Sequence, residues 1–173
     1  RVGAWGVGEL LADRVLRLVS GAGAFGRLGV LAAGGVSAGG EVVGVIPDFL
    51  IRYEVGHRQL TDLVVTDSMH DRKRRMFEMA DAFVVLPGGL GTLDETFELI
   101  TWRQLRLHDS PIVILDVAGY WKPLLRLIDM VVATGFADPA TTDLFTVARS
   151  PEEVLQQLAD AAQPKEQVLT SHL

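Results

Sequence analysis

The stretch Ala82-Phe83-Val84-Val85-Leu86-Pro87-Gly88-Gly89-Leu90-Gly91-Thr92-Leu93-Asp94-Glu95 decides how this chain folds. Ala82 to Leu86 is an unbroken apolar run, the pattern of a strand buried on both faces. Pro87-Gly88-Gly89 stops it, and a helix is expected from about Thr92, with carboxylates in its first turn. A strand, a tight glycine turn and a helix start together expose backbone N–H groups to an anion. Gly88, Gly89 and Gly91 suggest close approach of the backbone to a ligand. Thr92 and Glu95 also fit a capping box, in which hydroxyl and carboxylate satisfy the first N–H groups of the helix. Asp94 reads as a complement to the helix dipole. Glu98, one turn on, shares a face with Glu95.

Working outward, strand-like runs alternate with helical patterns on both sides. Before the turn come a helix over about 6–14, a strand over 15–20, a glycine turn over 21–26 and a helix over 28–38. A strand over 42–46 stops at Pro47-Asp48, another covers 63–66, and a helix covers 69–80, capped by Asp67 or Ser68. After the turn come a helix to about Leu107, a strand over 112–115 and a helix over 120–133. A short strand over 144–147 and a helix over 151–161 with Ser150 as its cap complete the series. This alternation predicts an α/β, Rossmann-like doubly wound parallel sheet with helices on both faces. Because a helix of such a fold normally follows a strand, a first strand is expected ahead of residue 1. One domain is expected over residues 1–163, followed by a polar tail over 164–173.

The chain has 173 residues and a net charge of −6, which argues against a surface that coats nucleic acid. An anionic ligand then needs a locally positive pocket built from helix ends and a few arginines. Cysteine is absent, so thiolate chemistry is excluded and a reducing cytoplasm is the simple expectation. No apolar run is long enough for a membrane span. The four histidines lack metal-ligand spacing, and no buried Schiff-base lysine stands out among Lys73, Lys122 and Lys165.

Two further motifs carry chemistry. Gly21-Ala22-Gly23-Ala24-Phe25-Gly26 matches the dinucleotide fingerprint, with Asp48 about 20 residues on. It reads either as a phosphate contact or as a turn where helix and strand pack closely. An NAD-dependent oxidoreductase is the reading that Asp48 would favour. In the helix that follows Ser68, positions 69, 72, 76 and 79 form one stripe of three methionines and Arg72. An arginine in an apolar stripe needs a partner, either a carboxylate such as Glu95 or a bound phosphate. Lys73, Arg74 and Arg75 read as a basic solvated face.

Ser68-Met69-His70-Asp71-Arg72-Lys73 followed by Pro87-Gly88-Gly89-Leu90-Gly91-Thr92-Leu93-Asp94-Glu95 strongly resembles the LONELY GUY family of cytokinin riboside 5′-monophosphate phosphoribohydrolases. The similarity runs over nearly the whole chain, including Gly44-Val45-Ile46-Pro47 and Ile100-Thr101-Trp102-Arg103-Gln104-Leu105. The family has three glycines in a row where this chain has Gly21-Ala22-Gly23. The resemblance implies hydrolysis of the N-glycosidic bond of adenosine 5′-monophosphate or an N6-substituted form, releasing free base and ribose 5-phosphate. It implies Arg72 and Glu95 as the catalytic pair. It places Met69, Lys73, Pro87, Gly88, Gly89, Gly91, Thr92, Gly21, Gly23 and Gly26 in the substrate site. It implies no metal or redox cofactor, and a homodimer or larger homo-oligomer. A non-catalytic nucleotide-binding module of the same fold is the alternative, with Glu95 serving only as a cap.

Overall fold

A computed structural model describes residues 2–14, 16–21, 26–51 and 60–162. The elements run α1 (Val2–Asp13), β1 (Leu18–Ser20), α2 (Gly26–Ser37), β2 (Val42–Pro47), α3 (Asp48–Ile51), β3 (Asp62–Thr66) and α4 (Met69–Glu78). They continue with β4 (Phe83–Val85), α5 (Leu90–Gln104), β5 (Ile112–Leu115), α6 (Lys122–Ala133), β6 (Thr146–Ala148) and α7 (Pro151–Ala162). Turns of 3₁₀ helix at Val117–Gly119 and Pro139–Leu144 flank α6. Nearly every expected element is present, and all strand pairs are parallel. The glycine turn 22–25, Gly23 included, and the tail after residue 162 lie outside the described residues.

The strands form two three-stranded sheets, ordered β1-β2-β3 and β4-β5-β6. In register, Leu18 faces Val42 and Val43 faces Asp62 in the first, while Phe83 faces Ile112 and Val113 faces Thr146 in the second. Among the described residues, β1 and β4 are not paired with each other. The strand expected ahead of α1 lies outside the described residues.

β5 shows why the interior is layered. Its residues Ile112, Val113, Ile114 and Leu115 are all buried, because helices cover both faces. Val113 and Leu115 pack with Val7 and Leu11 of α1, Leu31 of α2 and Val154 and Leu155 of α7. Ile112 and Ile114 pack with Ile100 of α5 and with Trp121, Leu124 and Ile128 around α6. Successive side chains of one strand therefore feed two separate cores. Burying each of the four contributes about 1.5–3 kcal/mol.

α1 lies on α2 at very short range. A Cβ at Gly8 would meet the backbone of Gly35 at 2.7 Å and that of Gly34 at 3.2 Å. The small residues of the two helices thus set their separation.

Several boundaries differ from expectation by one to four residues, among them the ends of α1, β1, α5 and β6, and two of the shifts bear on the site. α6 begins at Lys122, and the segment before it is a 3₁₀ turn holding Ala118 (φ 55°) and Gly119 (φ 75°) in the left-handed region. α5 begins at Leu90, not Thr92, with Gly89 as its N-cap in extended conformation (φ −95°, ψ −154°) and no side-chain cap. Leu93 N–H donates to the Gly89 carbonyl at 3.1 Å. Thr92 is therefore already helical, and its carbonyl accepts the Thr96 hydroxyl at 2.6 Å. The capping box does not form, because the glycines let the helix start earlier.

Candidate functional site

In a parallel sheet, ligands gather where strands end and connections diverge. Here β1 ends in Ser20-Gly21 and β4 ends before Leu86-Pro87-Gly88-Gly89. Both line one cleft of about 1230 Å³ that also runs between the unpaired β1 and β4, along Leu18, Val19, Phe83 and Val84, and that Arg72, Thr92, Glu95 and Tyr120 line as well.

α4 presents Arg72. Ser68 caps this helix by accepting Asp71 N–H at 3.0 Å, and the Ser68 hydroxyl donates to Asp71 Oδ2 at 2.6 Å. Thr66, at the end of β3, donates to the carbonyls of Ile46 (3.4 Å) and Ser68 (3.3 Å), which joins the β2 end to the helix start. One turn on, Arg72 is 9% exposed. Its Nε donates to the Val45 carbonyl at 3.2 Å and its Nη1 to Glu95 Oε1 at 3.0 Å. A buried guanidinium is thereby satisfied by backbone on one side and by a carboxylate on the other. The partner expected for Arg72 is indeed Glu95. The Glu95 side chain keeps 36% of its surface in contact with solvent, so the pair joins a buried cation to a carboxylate open to the cleft.

Gly21 makes this arrangement possible. A Cβ there would overlap Arg72 Nη2 and lie 2.9 Å from its Cζ. Of the first glycine turn Gly21 is described, and it packs against the arginine of α4, while residues 22–25 lie outside the described residues. Gly88 is equally constrained, since its Cβ would overlap the Thr92 side chain.

Lys73 lies beside this pair and is not solvated, in contrast to the exposed Arg74 and Arg75. Its Nζ reaches Glu98 Oε2 at 2.9 Å and Asp94 Oδ2 at 3.1 Å, so it ties α4 to α5. The hydrogen bond to Glu98, then that to Asp94, raises the ammonium pKa above its ordinary 10.5 against the opposing effect of burial. Asp94 is accordingly not a first-turn dipole complement; with the earlier helix start it faces Lys73.

The remaining expected residues divide. Gly21, Lys73, Pro87, Gly88, Gly89 and Thr92 line the cleft with Arg72 and Glu95. Met69 and Gly91 are exposed and do not line it. Gly26 opens α2. Met76 and Met79 line the cleft, as do Phe77, Phe83 and Trp102. Phe77 stacks on Phe83 (centroids 5.5 Å apart, planes at 11°) and meets Trp102 edge-on at 5.0 Å. Asp48 is exposed at the start of α3.

Sequence reasoning missed Tyr120, whose hydroxyl donates to the Gly88 carbonyl at 2.6 Å. Its position just past the end of β5 was the available signal, because that edge of the sheet carries the ligand face. Among the described residues, no group of three or more His, Asp or Glu is placed to hold a metal ion, and no helix is long and apolar enough to cross a membrane.

Residues 28–158 match a protein family described as "Possible lysine decarboxylase". A protein from Rhodococcoides fascians named cytokinin riboside 5′-monophosphate phosphoribohydrolase is 44% identical over 148 residues, covering 85% of this chain and 75% of its own. A rice protein named as a probable enzyme of the same activity is 37% identical, covering 95% of this chain and 67% of its own. Among solved structures, a molybdenum cofactor binding protein from Rippkaea orientalis superposes with a TM-score of 0.69 at 19% identity, covering 94% of this chain and 87% of that one. At that identity the likeness concerns the fold.

Proposed function

The chain belongs to the LONELY GUY family, matched under the description of possible lysine decarboxylases, and we propose that it hydrolyses the N-glycosidic bond of adenosine 5′-monophosphate or an N6-substituted form of it. The products are the free base, a cytokinin where the N6 substituent makes it one, and ribose 5-phosphate. The observation that carries the proposal is the Arg72–Glu95 pair, 3.0 Å apart and beside the Pro-Gly-Gly turn.

The bond from ribose C1′ to the base breaks with its electrons leaving on the base, and positive charge builds on C1′ and the ring oxygen. Glu95 supplies a negative charge opposite that centre and orients the water that adds to C1′. The water loses a proton and the departing base gains one, so the reaction balances without a redox partner. Arg72 fixes the Glu95 rotamer through Nη1 while the Val45 carbonyl holds Nε. The N-terminus of α5 binds the 5′-phosphate through the backbone of Gly88 to Thr92. Binding energy from that remote phosphate then serves the reacting carbon.

A decarboxylase of the lysine Schiff-base kind needs a neutral amine. Among the described residues, Lys73 is the lysine that lines the cleft, and its ammonium is ion-paired with both Glu98 and Asp94. The proposal extends to a homodimer, supported by exposed Leu90 and Phe97 on α5 and Leu105 just past its end, at which a second copy would bury apolar surface.

Release of ribose 5-phosphate from AMP and from an N6-substituted AMP tests the reading. Wild-type protein should release it, and Glu95→Ala should lose that activity while staying folded. Robust turnover by Glu95→Ala would sink the mechanism.

A further inference from the structure

A turn of two adjacent glycines keeps one orientation only if something outside it holds it there. The peptide joining Gly88 to Gly89 has no Cβ on either side to restrict its rotation. Turned one way it offers the Gly89 N–H to an anion; rotated by half a turn it offers the Gly88 carbonyl, which repels one. No peptide bond among the described residues is cis, so this carbonyl and N–H point in opposite directions. Whatever holds the carbonyl therefore also aims the N–H.

Tyr120 holds it, through the 2.6 Å hydrogen bond from its hydroxyl to the Gly88 oxygen across 32 positions of sequence. The segment that carries Tyr120 is itself fixed. Asp116 N–H donates to the Ala148 carbonyl at 2.8 Å, and Asp116 Oδ1 accepts Trp121 N–H at 2.7 Å. Trp121 is buried, and Tyr120 meets it edge-on with centroids 4.9 Å apart. Between these anchors Ala118 and Gly119 both take left-handed backbone. That conformation is costly for alanine, and it persists because the surrounding contacts impose it. A strained, doubly anchored loop thus delivers one phenol to one carbonyl at the rim of the cleft.

We propose that Tyr120 is a positioning residue that locks the Gly88–Gly89 peptide with its N–H toward the substrate phosphate, and so sets the preference for a phosphorylated over an unphosphorylated nucleoside. This rests on the hydrolase reading above. The test is Tyr120→Phe, which removes one oxygen atom and keeps the ring against Trp121. kcat/KM for AMP and for adenosine are compared in both proteins, with thermal melts alongside. The AMP-to-adenosine ratio of kcat/KM should fall about tenfold, the value of one lost hydrogen bond, with kcat/KM for adenosine unchanged. An unchanged ratio, or a parallel loss on both substrates, overturns the proposal. Should the wild type turn over neither substrate, the hydrolase reading fails. Calorimetric affinities for AMP and adenosine then decide the positioning role by the same ratio.

Discussion

Replacing Gly21 by alanine isolates the Arg72–Glu95 geometry from the chemistry of either side chain. The backbone of Gly21 lies outside the left-handed region, so alanine can adopt it. The new methyl group would overlap Arg72 Nη2 and stand 2.9 Å from Cζ and 3.4 Å from Nε. Carbon and nitrogen atoms settle at about 3.5–4.0 Å, so the guanidinium must retreat by roughly 1–2 Å. Its hydrogen bonds to Glu95 and Val45, now 3.0 and 3.2 Å, do not survive such a shift. Each is worth about 1.5–3 kcal/mol when intact, but the displaced cation regains water at the cleft. Alanine also narrows the unfolded ensemble by about 0.4–1 kcal/mol. The net loss of stability is then about 1–3 kcal/mol, a fall in Tm of several degrees for a chain of this size. Misplacing a catalytic group by 1 Å costs about 100-fold in rate, so kcat/KM for AMP should drop by about that factor. Ribose 5-phosphate release and thermal melts measure the two quantities. The decisive comparison is a double-mutant cycle with Arg72→Ala. Once the guanidinium is gone, adding Gly21→Ala should cost less than about threefold. A further loss of about 100-fold in that background would refute the reasoning, because Gly21 would then act other than through Arg72.

Glu95→Gln keeps the size and hydrogen-bonding oxygen of the side chain but removes its charge. It should lower kcat by about 100- to 1,000-fold with little change in Tm, and single-turnover kinetics with AMP check it. Gly8→Ala should destabilise by about 1–3 kcal/mol, because its methyl group meets the α2 backbone, which cannot rotate aside; urea unfolding reads the change, and an unaltered midpoint would contradict the packing. Lys73→Met tests the tie between α4 and α5. The raised pKa of Lys73 means that its contribution is fully present below the ordinary lysine value of 10.5 and is lost as pH climbs through the higher folded value. The gap in unfolding midpoint between wild type and variant should stay constant from pH 7 to 9 and narrow only above about 10.5, and a gap that closes near neutrality would contradict the assignment.

The order and type of the elements were largely readable because strands such as β2, β4 and β5 are short apolar runs with Gly, Pro or Asp close by. β5 is the clearest case: Ile112 to Leu115 had to be buried on both faces, and two helix layers cover it. The stripe argument also succeeded for Arg72, since a cation among methionines demands a partner and Glu95 provides one. Other contacts were not readable, for reasons of geometry. Nothing in a linear sequence says that the missing Cβ of Gly21 makes room for a guanidinium 51 positions later. Nor does it say that a left-handed Ala118 carries Tyr120 to Gly88. Lys73 looked solvated because its helical neighbours are, whereas its partners lie on another helix.

The start of α5 matters more to function than a shift of two residues suggests. Had the helix begun after Thr92, the Glu95 carboxylate would have been drawn back to the helix's own first N–H groups, as a capping box requires. With Gly89 as the N-cap, those N–H groups are left to the glycine turn and to whatever anion binds there. Glu95 falls in the second turn, where its side chain reaches across to Arg72 instead of backward. The two glycines therefore do two things at once. They open an anion site at the helix start, and they release the nearest carboxylate from capping so that it can face the cleft. A residue inserted between Gly89 and Thr92 would separate these effects. It would keep the glycine turn but rotate Glu95 by about 100° around the helix, away from Arg72. Nucleotide binding should then survive while hydrolysis is lost. Equal loss of both would mean that the early helix start serves packing alone.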